Sequence, residues 1–183
     1  MKSPKPVIKG MFVRSHIEAV RKVKGEKGVK ELERRYGKPI KFGHVQYVPV
    51  REEVKIIELT LDVLNPTPVP ALVREFEAGR LHFRNFSTTP YGRIIFSALP
   101  RDFKLMMMNT RYIAQHVFRH VKFTSIDLGP QVLKVIMENN DYPIDHFKGL
   151  FYEWMRFFDL KRANVDAREI ASNVYEYTMV WQP

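Results

Sequence analysis

The spacing of apolar residues changes once along this 183-residue chain, close to residue 121. Before that point, apolar side chains recur three and four residues apart, which is the period of a half-buried helix. After it, the segments 123–128 and 132–137 are rich in β-branched and apolar residues, and Gly129-Pro130 separates them as a hairpin turn does. The pattern therefore predicts helices first and an antiparallel sheet second.

One helix interrupts the predicted sheet. Pro143 begins it, and its apolar residues cover most of its circumference, so it must be covered on more than one side. We expect the helical part of the fold to cover it first. A second subunit would cover the remaining side, as the interface of a homodimer. Segments 161–165 and 174–181 follow as strands, the second by strict alternation.

These elements predict an α+β fold: a helical N-terminal part packed on a C-terminal antiparallel sheet of about four strands, with one crossing aromatic helix. We predict a single domain over residues 1–183, with the helical part at about 7–120 and the sheet-containing part at about 121–183. The Pro-rich stretch 65–70 is short and composition does not shift across it, so it predicts an elbow between helices.

Glycine and capping residues set the helix boundaries. Gly25 breaks the first apolar stripe, and Gly37 fits the position after a helix C-terminus. Thr89 and Asp102 precede periodic segments as N-caps do, the second opening a helix from about 103 to 120. The repeating positions of the first stripe are Phe12, His16, Ile17, Val20 and Val23.

Composition excludes several kinds of chemistry. The chain has no cysteine, which excludes disulfides, thiolate nucleophiles, thiolate metal sites and cysteine acylation. Its apolar runs are too short to cross a bilayer, and its start shows no signal-peptide pattern. We expect a cytoplasmic protein without a transmembrane segment. Abundant Lys, Arg and Glu beside absent Cys also fits a thermophile.

The net charge of +10 is concentrated at the front, where residues 1–55 hold 15 Lys and Arg against 6 Asp and Glu. Such asymmetry favours an acidic partner such as nucleic acid or an anionic surface, with Tyr36 or Phe42 as a stacking face. A solvated helix face is the alternative, and no nucleic-acid-binding motif is present. The predicted anion-binding residues are Lys24, Lys27, Lys30, Arg34, Arg35, Lys38 and Lys41.

His116 and His120 form the one metal motif in the sequence. A helix places positions i and i+4 on one face, where two imidazoles can chelate Zn²⁺. A third ligand would come from Asp127, His146 or His82. The alternative is that both histidines cap the end of a helix. The pair defines a metal-dependent enzyme as one alternative function.

Other catalytic patterns are weak. The carboxylate pairs Asp141 with Asp145 and Asp127 with Glu138 lie where caps and hairpins need them. The chain has no Gly-x-Ser-x-Gly elbow and no phosphate-binding glycine loop. We therefore predict no catalytic residues and a non-enzymatic protein.

Five short sequences carry a family resemblance. They are Val7-Ile8-Lys9-Gly10-Met11-Phe12, Thr89-Pro90-Tyr91-Gly92-Arg93, Leu99-Pro100-Arg101-Asp102, Tyr142-Pro143 through Gly149, and Tyr175-Glu176-Tyr177-Thr178-Met179-Val180-Trp181. With the order of elements they resemble a family of uncharacterised domains catalogued mainly from myxobacteria. That family is distantly similar to haem nitric-oxide-binding and 4-vinyl-reductase-like domains, which implies a ligand-pocket or assembly fold.

The chain differs from these relatives at the residues that carry out their functions. Haem nitric-oxide sensors hold the haem propionates with a Tyr-x-Ser-x-Arg motif, which is absent here, so haem is not predicted. The cysteines used by some 4-vinyl-reductase-like relatives are also absent. The resemblance transfers no functional residue and no cofactor.

The leading hypothesis is a ligand-binding, sensor or assembly module for a small apolar ligand. Its pocket would lie between the Met-rich helix, the helix that contains Gly79 and the aromatic helix, because methionine and aromatic side chains fit irregular apolar space. The predicted lining residues are Phe83, Met107, Tyr112, His116, Phe151 and Trp154.

Overall fold

The computed structural model describes residues 4–182, so the ends of the predicted domain, residues 1–3 and 183, lie outside it. The described chain is α+β, as predicted. Its helices are α1 Gly10–Tyr36, α2 Val50–Leu64, α3 Ala71–Ser87, α4 Pro90–Ala98, α5 Phe103–Met108, α6 Thr110–Val117 and α7 Ile144–Phe157. Its strands are β1 Val7–Lys9, β2 Tyr47–Pro49, β3 Phe118–Arg119, β4 Lys122–Gly129, β5 Val132–Glu138, β6 Lys161–Ala171 and β7 Val174–Gln182.

Helix α1 contains the predicted break. Gly25 has φ 66° and ψ −166°, which kinks the helix without ending it. Gly37 follows the last turn in the left-handed region, at φ 93°, and its N–H donates to the carbonyl of Glu33. Only glycine adopts this cap without a Cβ penalty. The helix therefore changes direction and ends at the residues that the sequence indicated.

The prediction of one helix over 103–120 is wrong in its length. It divides at Asn109 into α5 and α6, and α6 ends at Val117. The chain then forms β3, which pairs antiparallel with β1 through Ile8 and Phe118. Since β2 pairs with the other edge of β1, a small sheet of order β2-β1-β3 results. The strands of this sheet are so short that no alternating pattern in the sequence predicts them.

The predicted four-stranded sheet is present, with the antiparallel order β4-β5-β7-β6. Strand β7 buries Tyr177, Met179 and Trp181 on one face. Helix α7 covers that face, and the rings of Phe151 and Tyr177 lie 5.3 Å apart between centroids. Alternation thus gives the sheet one apolar face, which the aromatic helix covers.

Helices α3 and α7 pack at backbone contact. A Cβ on Gly79 would lie 1.7 Å from the carbonyl oxygen of His146, and a Cβ on Gly149 would lie 2.0 Å from that of Phe76. Two glycines therefore let the helical part approach α7 closely. None of the helices in residues 4–182 is long and apolar enough to cross a membrane.

Candidate ligand pocket and buried histidine cluster

A cavity of about 640 Å³ lies between the helical part and α7 with the sheet. Its walls are almost entirely apolar, and Lys9 is the one Lys or Arg among the described lining residues. The residues that line it are Lys9, Met11, Phe12, His82, Phe83, Phe86, Ile95, Phe96, Ala98, Leu99, Thr110, Tyr112, Ile113, Ala114, His116, Val117, Phe118, Phe123, Phe147, Leu150, Phe151 and Trp154. Cavities of several hundred Å³ with such walls are the usual form of small-molecule sites.

The structure brings most of the predicted pocket residues together. The members that line the cavity are Phe83, Tyr112, His116, Phe151 and Trp154. Met107 lies elsewhere: it is fully buried and its side chain is packed in the core. The role of these residues in ligand binding stays a prediction.

His116 and His120 do not share a helix face. His116 is in the last turn of α6, whereas His120 follows β3 in a left-handed backbone conformation, at φ 68°. The argument for an i,i+4 chelating pair requires a continuous helix, and α6 ends between the two residues. The sequence overestimated the length of this helix because the strand that follows it is only two residues long.

The predicted anion-binding residues are exposed along the second half of α1 and the segment after it. Glu31 accepts hydrogen bonds from both Arg34 and Arg35, which partly neutralises this surface. Tyr36 is buried and its hydroxyl donates to Glu52, so it offers no stacking face. Nucleic-acid binding by this surface stays a prediction.

Three of the four carboxylates considered for acid–base chemistry form ion pairs. Lys and Arg side chains contact them at ion-pair distance, and the pairs are Lys104 with Asp127, Lys122 with Glu138, and Arg51 with Asp141. These contacts are at the surface, where ion pairs contribute little to stability and are weakened by salt. They give Asp127, Glu138 and Asp141 a role in surface ion pairs.

A cluster of polar side chains lies deep inside the protein, where α1, α2, α3 and α7 meet. Glu53 Oε1 is 2.6 Å from His16 Nε2 and 3.5 Å from His82 Nδ1. His82 Nδ1 is in turn 3.1 Å from His146 Nε2. All four residues are buried, with at most 3% of their surface exposed. We call them the histidine cluster.

Two further residues surround the histidine cluster. Asn85, one turn after His82 on α3, places its side-chain amide 3.2 Å from His16 Nδ1. The hydroxyl of Tyr142 lies beside Glu53, yet neither that hydroxyl nor Glu53 Oε2 has a partner in hydrogen-bond geometry among the described residues. The carboxylate therefore retains one buried acceptor without a donor, which is costly in a protein interior.

Burial keeps the imidazoles of the cluster neutral. Desolvation lowers the pKa of His16 to about 3 and that of His82 to about 4. The pKa of His146 is also held well below its usual value, first by burial and then by the neighbouring imidazoles. Burial raises the pKa of Glu53, against the attraction of His82. Without a compensating cation, these four groups favour their uncharged forms.

The amino-acid sequence indicates only parts of this cluster. Its pattern offers His82 and His146 only as third ligands for the His116 and His120 pair, and it places His16 within an apolar stripe. Glu53 carried no signal beyond being a charged residue in α2, although it lies among positions with helical apolar spacing. The one indication in the sequence is that Glu53 and His16 each lie on the apolar face of a helix. It becomes informative only once the two helices are known to pack against each other.

A family model with the description "Protein of unknown function (DUF2378)" matches residues 3–182. Comparison with curated proteins gives no match.

Solved structures of H-NOX proteins share the fold. An oxygen-binding H-NOX domain related to soluble guanylate cyclases superposes with a TM-score of 0.65 at 15% identity, covering 96% of both chains. An Fe(II) unliganded H-NOX variant from K. algicida gives 0.62 at 13% identity, covering 96% of this chain and 97% of its own. An H-NOX variant from T. Tengcongensis gives 0.57 at 14%, covering 96% and 98%. At this identity the similarity establishes the fold alone.

Proposed function

We propose that this chain, which belongs to the family of proteins of unknown function DUF2378, is a non-enzymatic ligand-binding module whose cavity takes a small apolar ligand. The observation that carries the proposal is the cavity of about 640 Å³ with almost wholly apolar walls. Its volume lies within the range of about 300–1,000 Å³ that is usual for small-molecule sites.

The cavity also supports a sensor role. Its walls come from α4 and α6 on one side and from α7 on the other, so one ligand would contact both parts of the fold. A ligand shifts a conformational equilibrium when its contacts differ between two packings of the protein. Ile95 and Ile113, on two short helices of the wall, are partly exposed and would gain buried area against such a ligand.

The H-NOX structures raise the question of haem, because one is an oxygen-binding domain and another is an Fe(II) unliganded protein. A haem needs an axial ligand and partners for two carboxylates. Among the described lining residues, Lys9 alone supplies a cationic side chain. His82 is engaged with Glu53 and His146, which leaves the exposed His116 as the other imidazole. The lining therefore does not fit a haem held by paired cations, and we propose an uncharged apolar ligand.

The test uses the neutral fluorescent probe N-phenyl-1-naphthylamine, with native mass spectrometry of the purified protein to detect any ligand already bound. Ile113→Trp places a larger side chain into the cavity wall and should weaken probe binding at least about 10-fold, a loss of about 1.4 kcal/mol. Ile126→Trp is the matched control, because Ile126 is partly exposed on β4 and lies outside the cavity.

Equal binding by both variants, or no binding by the wild-type protein, would contradict the proposal. A visible Soret band after incubation with haem, lost in Ile113→Trp and kept in Ile126→Trp, would show that the cavity binds haem and would contradict the proposal of an apolar ligand.

A further inference from the structure

We infer that His16, Glu53 and His82, whose ligand atoms lie within 4.8 Å of one another, bind one divalent transition-metal ion, and that Zn²⁺ is the ion their donor atoms fit best. His146 completes the site as a fourth ligand once its imidazole moves toward the ion. Imidazole nitrogen and carboxylate oxygen are both zinc ligands, and four protein ligands define a structural site. The inference does not depend on the apolar-ligand proposal, because His16, Glu53 and His146 lie outside the cavity lining and only His82 belongs to both sites.

The spacing of the donor atoms supports a tetrahedral site. Bonds of about 2.0–2.1 Å from a tetrahedral ion place its ligand atoms roughly 3.3–3.4 Å apart. The separations from His82 Nδ1 are 3.5 Å to Glu53 and 3.1 Å to His146, close to that value. The ligand atoms of His16, Glu53 and His82 all lie within 4.8 Å of one another. The 2.6 Å contact between His16 and Glu53 must lengthen, as expected when an ion replaces a shared proton. The imidazole of His146, which lies outside that group of three, must shift toward the ion.

The charge balance also supports a cation. Among residues 4–182, no Lys or Arg lies at ion-pair distance from Glu53, whose contacts of this kind are with His16 and His82. A fully buried carboxylate without a cation carries a large desolvation cost. A divalent ion would compensate that charge, and three imidazoles would complete its coordination without adding negative charge.

The surrounding residues lie where a metal site needs its outer shell. With His16 bound through Nε2, its Nδ1–H requires an acceptor, and the Asn85 amide lies 3.2 Å away. The carbonyl oxygen of that amide serves once the amide is flipped, because amide orientation follows from the hydrogen-bond network. Tyr142 lies beside Glu53 and can donate to Oε2, the acceptor that otherwise lacks a partner. Such contacts orient metal ligands and tune their affinity.

Helix packing explains how the ligands come together. His82 follows Gly79 by one turn on α3, and His146 precedes Gly149 by one turn on α7. The backbone contact at these glycines draws the two imidazoles to within 3.1 Å. The cluster is closed to solvent, so the ion would enter during folding, as in other structural sites.

The experiment measures the metal content of tag-free protein prepared without chelator, because a histidine tag would bind metal itself. We expect one Zn²⁺ per chain in the wild-type protein, by elemental mass spectrometry. Refolding with Co²⁺ in place of Zn²⁺ should give the visible d–d bands of a tetrahedral site. His82→Ala and His146→Ala should lose both signals, whereas His116→Ala should keep them.

A second measurement remains informative if the histidine variants do not fold. Metal-free wild-type protein is refolded with Zn²⁺ and a competing chelator, and Tyr142→Phe is compared with it. We expect Tyr142→Phe to fold and to bind Zn²⁺ about 10–100-fold more weakly. Wild-type protein that refolds without taking up Zn²⁺ or Co²⁺ would overturn the inference and leave a metal-free hydrogen-bonded cluster. Metal that is lost in His116→Ala would overturn it as well.

Discussion

The backbone of Gly79 on α3 lies against the carbonyl of His146 on α7, at a distance where a Cβ would come within 1.7 Å of the oxygen. A Cβ on Gly149 would meet the carbonyl of Phe76 at 2.0 Å, so the contact is reciprocal. This crossing sets the separation of the helical part from the aromatic helix. The histidine cluster lies within one turn of it, and the cavity lies beside it.

Gly79→Ala should destabilise the protein by about 1–3 kcal/mol, because the added methyl group forces the two backbones apart. The loss would occur although alanine favours a helix interior by about 1 kcal/mol over glycine. Urea unfolding followed by circular dichroism measures the change. Gly43→Ala is the matched control, since its nearest neighbour is the Gln46 Cβ at 3.7 Å. A loss in the control as large as in Gly79→Ala would show that the crossing is not the cause.

The ion pair between Arg80 and Glu153 joins the same two helices, with 2.7 Å between Nε and Oε2. Both side chains are mostly buried, so Glu153→Gln should cost about 1–2 kcal/mol, between the values for surface and buried pairs. Glu18→Gln removes the exposed pair with Arg21 and should cost less than about 0.5 kcal/mol. Chemical denaturation of both variants tests the difference. Similar losses would mean that the α3–α7 pair adds nothing beyond a surface contact.

Thr89 caps helix α4, and its hydroxyl oxygen accepts a hydrogen bond from the N–H of Gly92 at 2.9 Å. Thr89→Ala should cost about 1 kcal/mol, because that N–H has no partner within the helix. Ser97→Ala is the control, since the Ser97 hydroxyl only donates to the carbonyl of Ile94 within the same helix. Thermal unfolding should show a clearly lower midpoint for Thr89→Ala alone. An unchanged midpoint would argue that water replaces the cap.

Tyr177 predicts a sensitivity to alkaline pH. Burial raises its pKa, and its hydroxyl donates to the carbonyl of Ile144 at 3.3 Å. The unfolded chain loses this proton near pH 10, about the pKa of free tyrosine, while the folded chain keeps it. The free energy of unfolding therefore falls by about 1.4 kcal/mol per pH unit above that point.

Tyr177→Phe should remove this dependence while costing about 1 kcal/mol near neutral pH through the lost hydrogen bond. Urea unfolding at about pH 8 and about pH 11 compares the two proteins, and other tyrosines contribute alike to both. The variant should lose less stability between these pH values than the wild-type protein. Equal slopes would contradict a raised pKa at Tyr177.

Local pattern was sufficient where a structural cause is local. The kink at Gly25, the cap at Gly37 and the caps at Thr89 and Asp102 are confirmed, because each depends on the backbone within one turn. The prediction failed over 103–120. There the chain leaves the helix to pair with β1, more than 100 residues earlier in the sequence, and no short segment carries that information.

The order of helices and strands can be read from the amino-acid sequence alone, and so can an aromatic helix with apolar residues on most of its surface. These follow from the periods of 3.6 and 2 residues and from capping chemistry. That His16, Glu53, His82 and His146 meet follows from helix packing and not from any local pattern, because the contacts join residues 37 and 64 positions apart in the chain. Two glycines permit a backbone contact between α3 and α7, and the polar groups beside that contact are then buried together.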